Sequence, residues 1–248
     1  LSMHQQMQHE SAVLHVTGEA LYIDDIPSSP NTLTGRVVYS PLAHARIVSF
    51  DLTKAKCAPG VVSVLSANDV PRHNEMGPVV KDEPCLAHDE VTFVGQAVFL
   101  IAARTDAECR AAEKLIEVTY EPLKSILSIE DAIASNNILG PERRMQRGDA
   151  RSALRSAPHT VQGELRTGAA EHWYLESQAS LSVPGEGDEI AVYCGSQNPS
   201  ETQTLVAEGL GVQKKDVLVE VRRIGGAFGG KETQGNHTAV WTALLSYA

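Results

Sequence analysis

Val217–Glu232 reads VLVEVRRIGGAFGGKE. An apolar, β-branched run ends at Ile224, and residues of that kind favour strands. Gly225, Gly226, Gly229 and Gly230 follow, enclosing Ala227 and Phe228, and then come Lys231 and Glu232. Glycines at this density let the backbone take positive φ and approach a bound group closely. A plain turn has no use for an aromatic such as Phe228. From about residue 236 the pattern becomes helix-like and apolar. The stretch therefore predicts strand, glycine loop, helix. In sheets with helical crossovers, ligands bind at such strand ends.

Upstream the arrangement repeats. Glu189–Tyr193 reads as a strand, and Gln197 stands in the loop after it. Asn198 before Pro199 is a helix start, with Asn as cap and Pro in the first turn. Gly209 or Gly211 ends that helix. Earlier pieces, 159–166 and 178–183, are strand-like. In the front half, 35–40, 46–52 and 61–65 read as strands, and 53–58 as a helical turn. Gly95–Ala103 (GQAVFLIAA) is nearly all apolar and predicts a strand buried on both faces. Thr105 with Glu108 forms a capping box for a helix to about Ile116. Glu117–Tyr120 predicts a strand and Ile129–Ala134 a helical turn. The fold class expected is α/β of the mixed α+β kind. A first unit spans 9–135, and 136–157 is a linker. The second unit, 158–248, breaks off inside an apolar helical pattern and so reads as the front of something longer. The linker holds Arg143, Arg144, Arg147, Arg151 and Arg155, a run read first as solvated and second as a binding patch.

With 248 residues and 42% hydrophobic side chains, the chain can bury a proper core. A net charge of −10 argues against a general nucleic-acid binder, because phosphate binding needs a basic surface. No apolar run is long enough to span a membrane. Cys57, Cys85, Cys109 and Cys194 form no zinc or CxxC pattern and read as reduced thiols of a cytoplasmic protein.

Residue types alone leave the glycine loop open. Gly225 to Gly230 with Lys231 fits a P-loop, but Glu232 stands where a Mg²⁺-binding Ser or Thr belongs, and its charge would repel phosphate. A glycine-rich turn packed against a neighbour is the plainer alternative. His172 and Glu176 have an i, i+4 spacing that suits a metal pair or a structural polar pair. Asp24 and Asp25 suit acid–base work or a turn before Pro27. His44 reads as a packed or turn histidine. Cys194 has no nearby base to make it a nucleophile.

IGGAFGGKE resembles the glycine loop of the molybdenum hydroxylases, the xanthine dehydrogenase and aldehyde oxidase family. VTGEALYIDDIP, SPLAHARIVSFDLTKAKCAPGVVSVLSANDVP and FVGQAVFLIAARTDAECRAAEKLIEVTYEPL resemble that family's hammerhead α/β domain. GDARSALRSAPHTVQGELRTGAAEHWYLESQ resembles the start of its molybdopterin-binding domain, and GSQNPSETQ its glutamine loop. The resemblance runs from His9 onward. It implies a molybdenum–molybdopterin cofactor, with iron–sulfur clusters and FAD on partner subunits or domains, as in bacterial relatives with separate subunits. It implies that Gln197 hydrogen-bonds an oxygen ligand of molybdenum and that Phe228 lies beside the metal. Gly226, Ala227, Phe228 and Gly229 would contact the cofactor. Glu232 would bind a hydroxylated purine, xanthine or hypoxanthine, where aldehyde oxidases tend to carry an apolar residue; the bland alternative is that it caps the final helix. The general base, a glutamate, is expected downstream of these residues, so this piece alone is expected to be inactive. An aldehyde oxidase-type activity, a non-catalytic module for subunit interaction and a P-loop nucleotide binder are the competing readings.

Overall fold

The computed structural model describes residues 9–248. They form two units. One joins 9–123 to 172–248, and the other is 124–171.

In the first unit a short helix α1 (Ala12–Thr17) ends at Gly18 in the left-handed region. The strands β1 (Thr34–Tyr39), β2 (Ala45–Asp51) and β3 (Val61–Leu65) follow, with a single helical turn α2 (Thr53–Lys56) between the last two. Then come β4 (Glu90–Val91), β5 (Ala97–Ala103), helix α3 (Asp106–Glu113) and β6 (Glu117–Pro122). β5 lies between β1 and β3, antiparallel to both. β2 lies between β4 and β6, again antiparallel. Every residue of β5 is buried, as its unbroken apolar run predicts. Thr105 caps α3 by accepting from the Glu108 N–H, and Glu108 in turn accepts from the Thr105 hydroxyl. β5 faces two cores. Phe99, Ile101 and Ala103 pack with Ala45, Val91, Cys109 and Ala112. Ala97 and Leu100 pack with residues of the C-terminal part.

That part is built from β7 (Ser180–Pro184), β8 (Ile190–Cys194), helix α6 (Pro199–Leu210), β9 (Val217–Glu220) and helix α7 (Gly235–Tyr247), counting as α4 and α5 the helices Ile129–Ala134 and Ala150–Ser156 of the second unit. β7 is antiparallel to β8, and β8 is parallel to β9. The crossover between the parallel strands is α6. Its cap is Asn198, whose side chain accepts from the Glu201 N–H, and it ends at Gly211 in the left-handed region. α6 and α7 approach closely at Gly209, where a Cβ would stand 3.2 Å from Val240 Cγ1. Thr242 of α7 hydrogen-bonds Ser180 and Ser182 of β7. Leu205, Val206, Val240 and Leu244 share a core with Leu65, Leu86 and Leu100, so the front and rear parts of this unit are packed around common residues.

Two strand expectations are corrected. Residues 157–179 form no strand, and 159–166 stay exposed with no strand paired to them among the described residues; β propensity without pairing does not make a strand. The run Val217–Ile224 is a strand only to Glu220, because its pairing with β8 stops at Tyr193 opposite Glu220. The stretch read as a linker contains α5, capped by Asp149.

Residues 73–86 fold back on themselves and are held against α7. Asn74 makes two hydrogen bonds to the Leu86 backbone, and Trp241 Nε1 donates to the Cys85 carbonyl at 3.0 Å. His237 lies beside Trp241, with Nε2 3.4 Å from Glu83 Oε1. Burial lowers the His237 pKa below 6.5, and Glu83 opposes the shift. The folded protein therefore keeps this ring neutral where the unfolded chain protonates it. The stability it contributes is complete above that value and is lost as pH falls below it. Urea midpoints should decline from about pH 7 to about pH 5, and His237→Gln should flatten that decline. An unchanged slope in the variant would remove His237 as its source.

Candidate functional site

Parallel pairing of β8 and β9 brings their C-terminal ends to one edge of the sheet. The loop with Gln197 leaves one strand there, and the chain leading to the glycine loop leaves the other. The two loops are joined at Lys231. The Gln197 N–H donates to the Lys231 carbonyl at 3.0 Å, and the Lys231 N–H donates to Gln197 Oε1 at 3.2 Å.

The Lys231 side chain points inward and is 0% exposed. Its Nζ donates to the Glu176 carbonyl at 2.8 Å and to Glu176 Oε2 at 3.0 Å, and it lies 4.7 Å from the centre of the Tyr174 ring. Glu176, 12% exposed, also accepts from the Gly225 N–H at 2.8 Å, while its own N–H donates to the Gly225 carbonyl at 3.1 Å. Segment 172–176 is thus stitched along the glycine loop. Gln178 Nε2 donates to the Tyr174 hydroxyl at 3.0 Å.

The glycines divide by role. A Cβ at Gly225 would fall 2.4 Å from Glu176 Cβ, and one at Gly230 would fall 2.7 Å from Tyr174 Cε1. These two are small because the 172–176 segment presses on them. At Gly226 a Cβ would meet Tyr174 and Phe228, and the backbone there has a φ of 97°. Gly229, with a φ of 91°, is the open one: a Cβ there would meet nothing beyond its chain neighbours closer than His172 Nε2 at 3.9 Å. Packing against a neighbour, the plainer reading of the loop, thus accounts for Gly225 and Gly230, and leaves Gly229 with unfilled space. Gly195 and Gly235 make room around Lys231 as well. A Cβ at Gly195 would stand 3.3 Å from Nζ, and one at Gly235 would stand 2.8 Å from the Gly195 carbonyl oxygen.

Phe228 sits at φ 51° with 74% of its surface exposed. For a bulky side chain that backbone region is a true outlier, and such strain collects at binding sites. Ala227 is buried and its carbonyl accepts from the Gly230 N–H. Glu232 is exposed, and its carboxylate makes no hydrogen bond or ion pair among the described residues. α7 begins at Gly235 without a side-chain cap, so Glu232 does not cap it. A P-loop needs its lysine on phosphate. Lys231 is committed to Glu176 instead, which removes that reading.

The remaining candidates resolve simply. His172 and Glu176 are not on a helix, and Glu176 serves Lys231, so the polar-pair alternative is the better description of Glu176. Among the described residues no three His, Cys, Asp or Glu side chains are gathered for a metal ion. Asp25 accepts from the Tyr22 N–H and shapes a turn. His44 faces Glu90 at 2.7 Å. Burial pushes the Cys194 thiol up to about 11, so it is no nucleophile. Glu176, Tyr174 and Gly195, the partners of Lys231, lie far from it in sequence, and no local pattern joins them to it.

The group that the glycine and glutamine loops imply can be tested against these residues. An N–H can only donate, so the Gln197 atom facing the Lys231 N–H is the oxygen, and Nε2 is directed elsewhere with no partner among the described residues. An outward amide donor, an open glycine and an unspent carboxylate suit an oxygen-bearing, negatively charged cofactor beside a polar substrate.

Comparison with known proteins agrees. The family model for the aldehyde oxidase and xanthine dehydrogenase a/b hammerhead domain matches residues 17–124, and that for the molybdopterin cofactor-binding domain matches 129–248. These define an α/β protein in which a hammerhead domain is followed by a domain of the molybdopterin cofactor-binding family. The chain belongs to the xanthine dehydrogenase and aldehyde oxidase family of molybdenum hydroxylases. It is 40% identical to xanthine dehydrogenase/oxidase of Mus musculus over 97% of its length, and 40% identical to xanthine dehydrogenase of Dictyostelium discoideum over 98%. It is 37% identical to aldehyde oxidase 3 of Rattus norvegicus over 92%. The chain spans 18%, 18% and 17% of those relatives' own lengths. Among solved structures, quinoline 2-oxidoreductase from Pseudomonas putida 86 superposes with a TM-score of 0.81 at 26% identity, covering 97% of this chain and 33% of that one. Aldehyde oxidoreductase from Desulfovibrio gigas gives 0.82 at 25%, covering 96% and 29%.

The division of the glycines is checkable by denaturation. Gly225→Ala should destabilise the protein by roughly 1–3 kcal/mol, the usual range for overpacking. Gly140→Ala, with nothing within 4 Å of the added carbon, should change it little. Equal unfolding midpoints would overturn the packing role of Gly225.

Proposed function

We propose that this chain is the opening part of the molybdenum-binding portion of a xanthine dehydrogenase, a cytoplasmic enzyme that oxidises hypoxanthine and xanthine in purine catabolism. In this reading residues 9–135 are the hammerhead domain, 136–157 a linker, and 158–248 the first portion of the molybdopterin-binding domain. Gln197 and the backbone of Gly226–Gly229 would hold molybdenum–molybdopterin, which would supply two-electron redox chemistry with oxygen drawn from water; iron–sulfur clusters and FAD would belong to partner subunits or domains.

The roles of the chain's own residues follow from their chemistry. Gln197 turns a neutral N–H donor toward the metal's ligands, and an amide does so without giving up a proton. Backbone groups from Gly226 to Gly229 would contact the cofactor, and the strained Phe228 would stand beside the metal. Glu232 takes the polar edge of the purine. The general base comes from outside these residues.

The observation that carries the purine reading is the unspent carboxylate of Glu232. Among the described residues it caps no helix and pairs with no cation, yet it follows directly on Lys231, the residue to which the Gln197 loop is tied. An aldehyde has no ring edge to match it. Similarity to aldehyde oxidases at 37% identity makes them the natural competitor. In the intact holoenzyme, Glu232→Ala should lower kcat/KM for xanthine by roughly 10–100-fold, as expected for a lost hydrogen bond to a charged group. A simple aldehyde should lose only a few-fold. Equal losses on both substrates would remove the purine contact.

A further inference from the structure

We propose that the buried Lys231–Glu176 ion pair is a positioning device that fixes which way round the Gln197 amide is presented. The inference rests on the reading of Gln197 as the residue facing molybdenum and goes beyond it.

An amide side chain can be turned about its last bond so that either oxygen or nitrogen faces a ligand. The two outcomes are opposites: one offers an acceptor, the other a donor. Here the choice is made by the Lys231 backbone, whose N–H takes the Gln197 oxygen at 3.2 Å and so leaves Nε2 outward. The Lys231 carbonyl accepts from the Gln197 N–H at 3.0 Å, which fixes the two residues at two points. That backbone is in turn set by its side chain. Nζ makes two hydrogen bonds to Glu176 and lies against the Tyr174 ring, with no exposure to solvent. Glu176 is held by a reciprocal pair of hydrogen bonds with Gly225, at the other end of the glycine loop. Lys231 Nζ is fully buried, and Glu176 Oε2 is shared between Lys231 and the Gly225 N–H, while Glu176 Oε1 is buried without a partner among the described residues. Both act through Gln197 and are positioning residues.

The test uses the intact holoenzyme and compares Gln197→Ala, Lys231→Met, Glu176→Gln and the double variant Lys231→Met/Gln197→Ala. The readouts are molybdenum content by elemental analysis, the Mo(V) electron paramagnetic resonance spectrum, and kcat and KM separately. Lys231→Met and Glu176→Gln should keep their molybdenum and KM. They should lose about 10–100-fold in kcat, the usual cost of removing a partner that orients a metal-site group. Their Mo(V) spectra should shift as that of Gln197→Ala does. The double variant should be no worse than Gln197→Ala, because residues acting through one contact are not additive. Independent, additive losses would overturn the proposal, as would a Mo(V) spectrum unchanged in Lys231→Met but shifted in Gln197→Ala. A spectrum unchanged in Gln197→Ala itself would overturn the placement of Gln197 at the metal instead. Lys231→Met leaves Glu176 uncompensated and is prone to misfold. Lys231→Met combined with Glu176→Gln removes both charges and then carries the comparison. If that variant also fails to fold, the pair is a folding element and the positioning role is overturned.

Discussion

A lysine ammonium with no solvent exposure is costly to bury, and only well-made contacts offset its lost hydration. Lys231 has them: two oxygens of one glutamate and the face of a tyrosine ring. Removing one partner of such a pair typically costs about 3–5 kcal/mol, because the other charge is left stranded. The loops around it are shaped by this requirement. Gly195 is small next to Nζ, Gly225 is small next to Glu176, and Gly230 is small next to Tyr174. Glycines that look in sequence like an invitation to a ligand are here partly the clearance for a buried salt bridge. The loop that remains is held at both ends, and its middle, Phe228 and Gly229, is left the most open.

The frame that holds this arrangement is simple. A parallel β8–α6–β9 crossover places two loops at one sheet edge. α7 then runs back over β7 and joins the core that includes Leu86 and Leu100. Because front and rear residues share that core, the chemistry-bearing loops are anchored to the β5 sheet as well as to their own strands. The 73–86 segment adds a further tie, through Trp241 to the Cys85 carbonyl.

Local signals in the chain were legible where one stretch decides its own state. The apolar run into β5, the Asn198–Pro199 helix start and the Thr105 cap all follow from neighbouring residues. Expectations failed where a distant partner decides. Residues 159–166 have strand-forming side chains and nothing to pair with, and the β9 run outlasts β8 by several residues. Gln197, Phe228 and Glu232 enter the proposed site through resemblance alone. The Lys231–Glu176 pair could not be read from the sequence, since its members are 55 positions apart and each has an ordinary local reading. A lysine after a glycine loop suggests phosphate, and a glutamate four residues from a histidine suggests a metal pair. Three-dimensional pairing dissolves both suggestions at once.

That pairing also explains why Lys231 and Glu232, adjacent and oppositely charged, do not neutralise one another. Lys231 is turned into the interior, where its charge is already met, and Glu232 is turned out with its charge unmet. Had the lysine remained at the surface, it would have been the nearest partner for that carboxylate, and the loop would offer no net charge. Sequestering the cation frees the anion. The site edge consequently presents a neutral donor from Gln197 and an acceptor from Glu232 without a cation from the loop between them. On the proposed purine reading, such a pattern suits a substrate with its own N–H donors, and it gives a physical reason for the loop to contain a lysine whose side chain is turned into the interior.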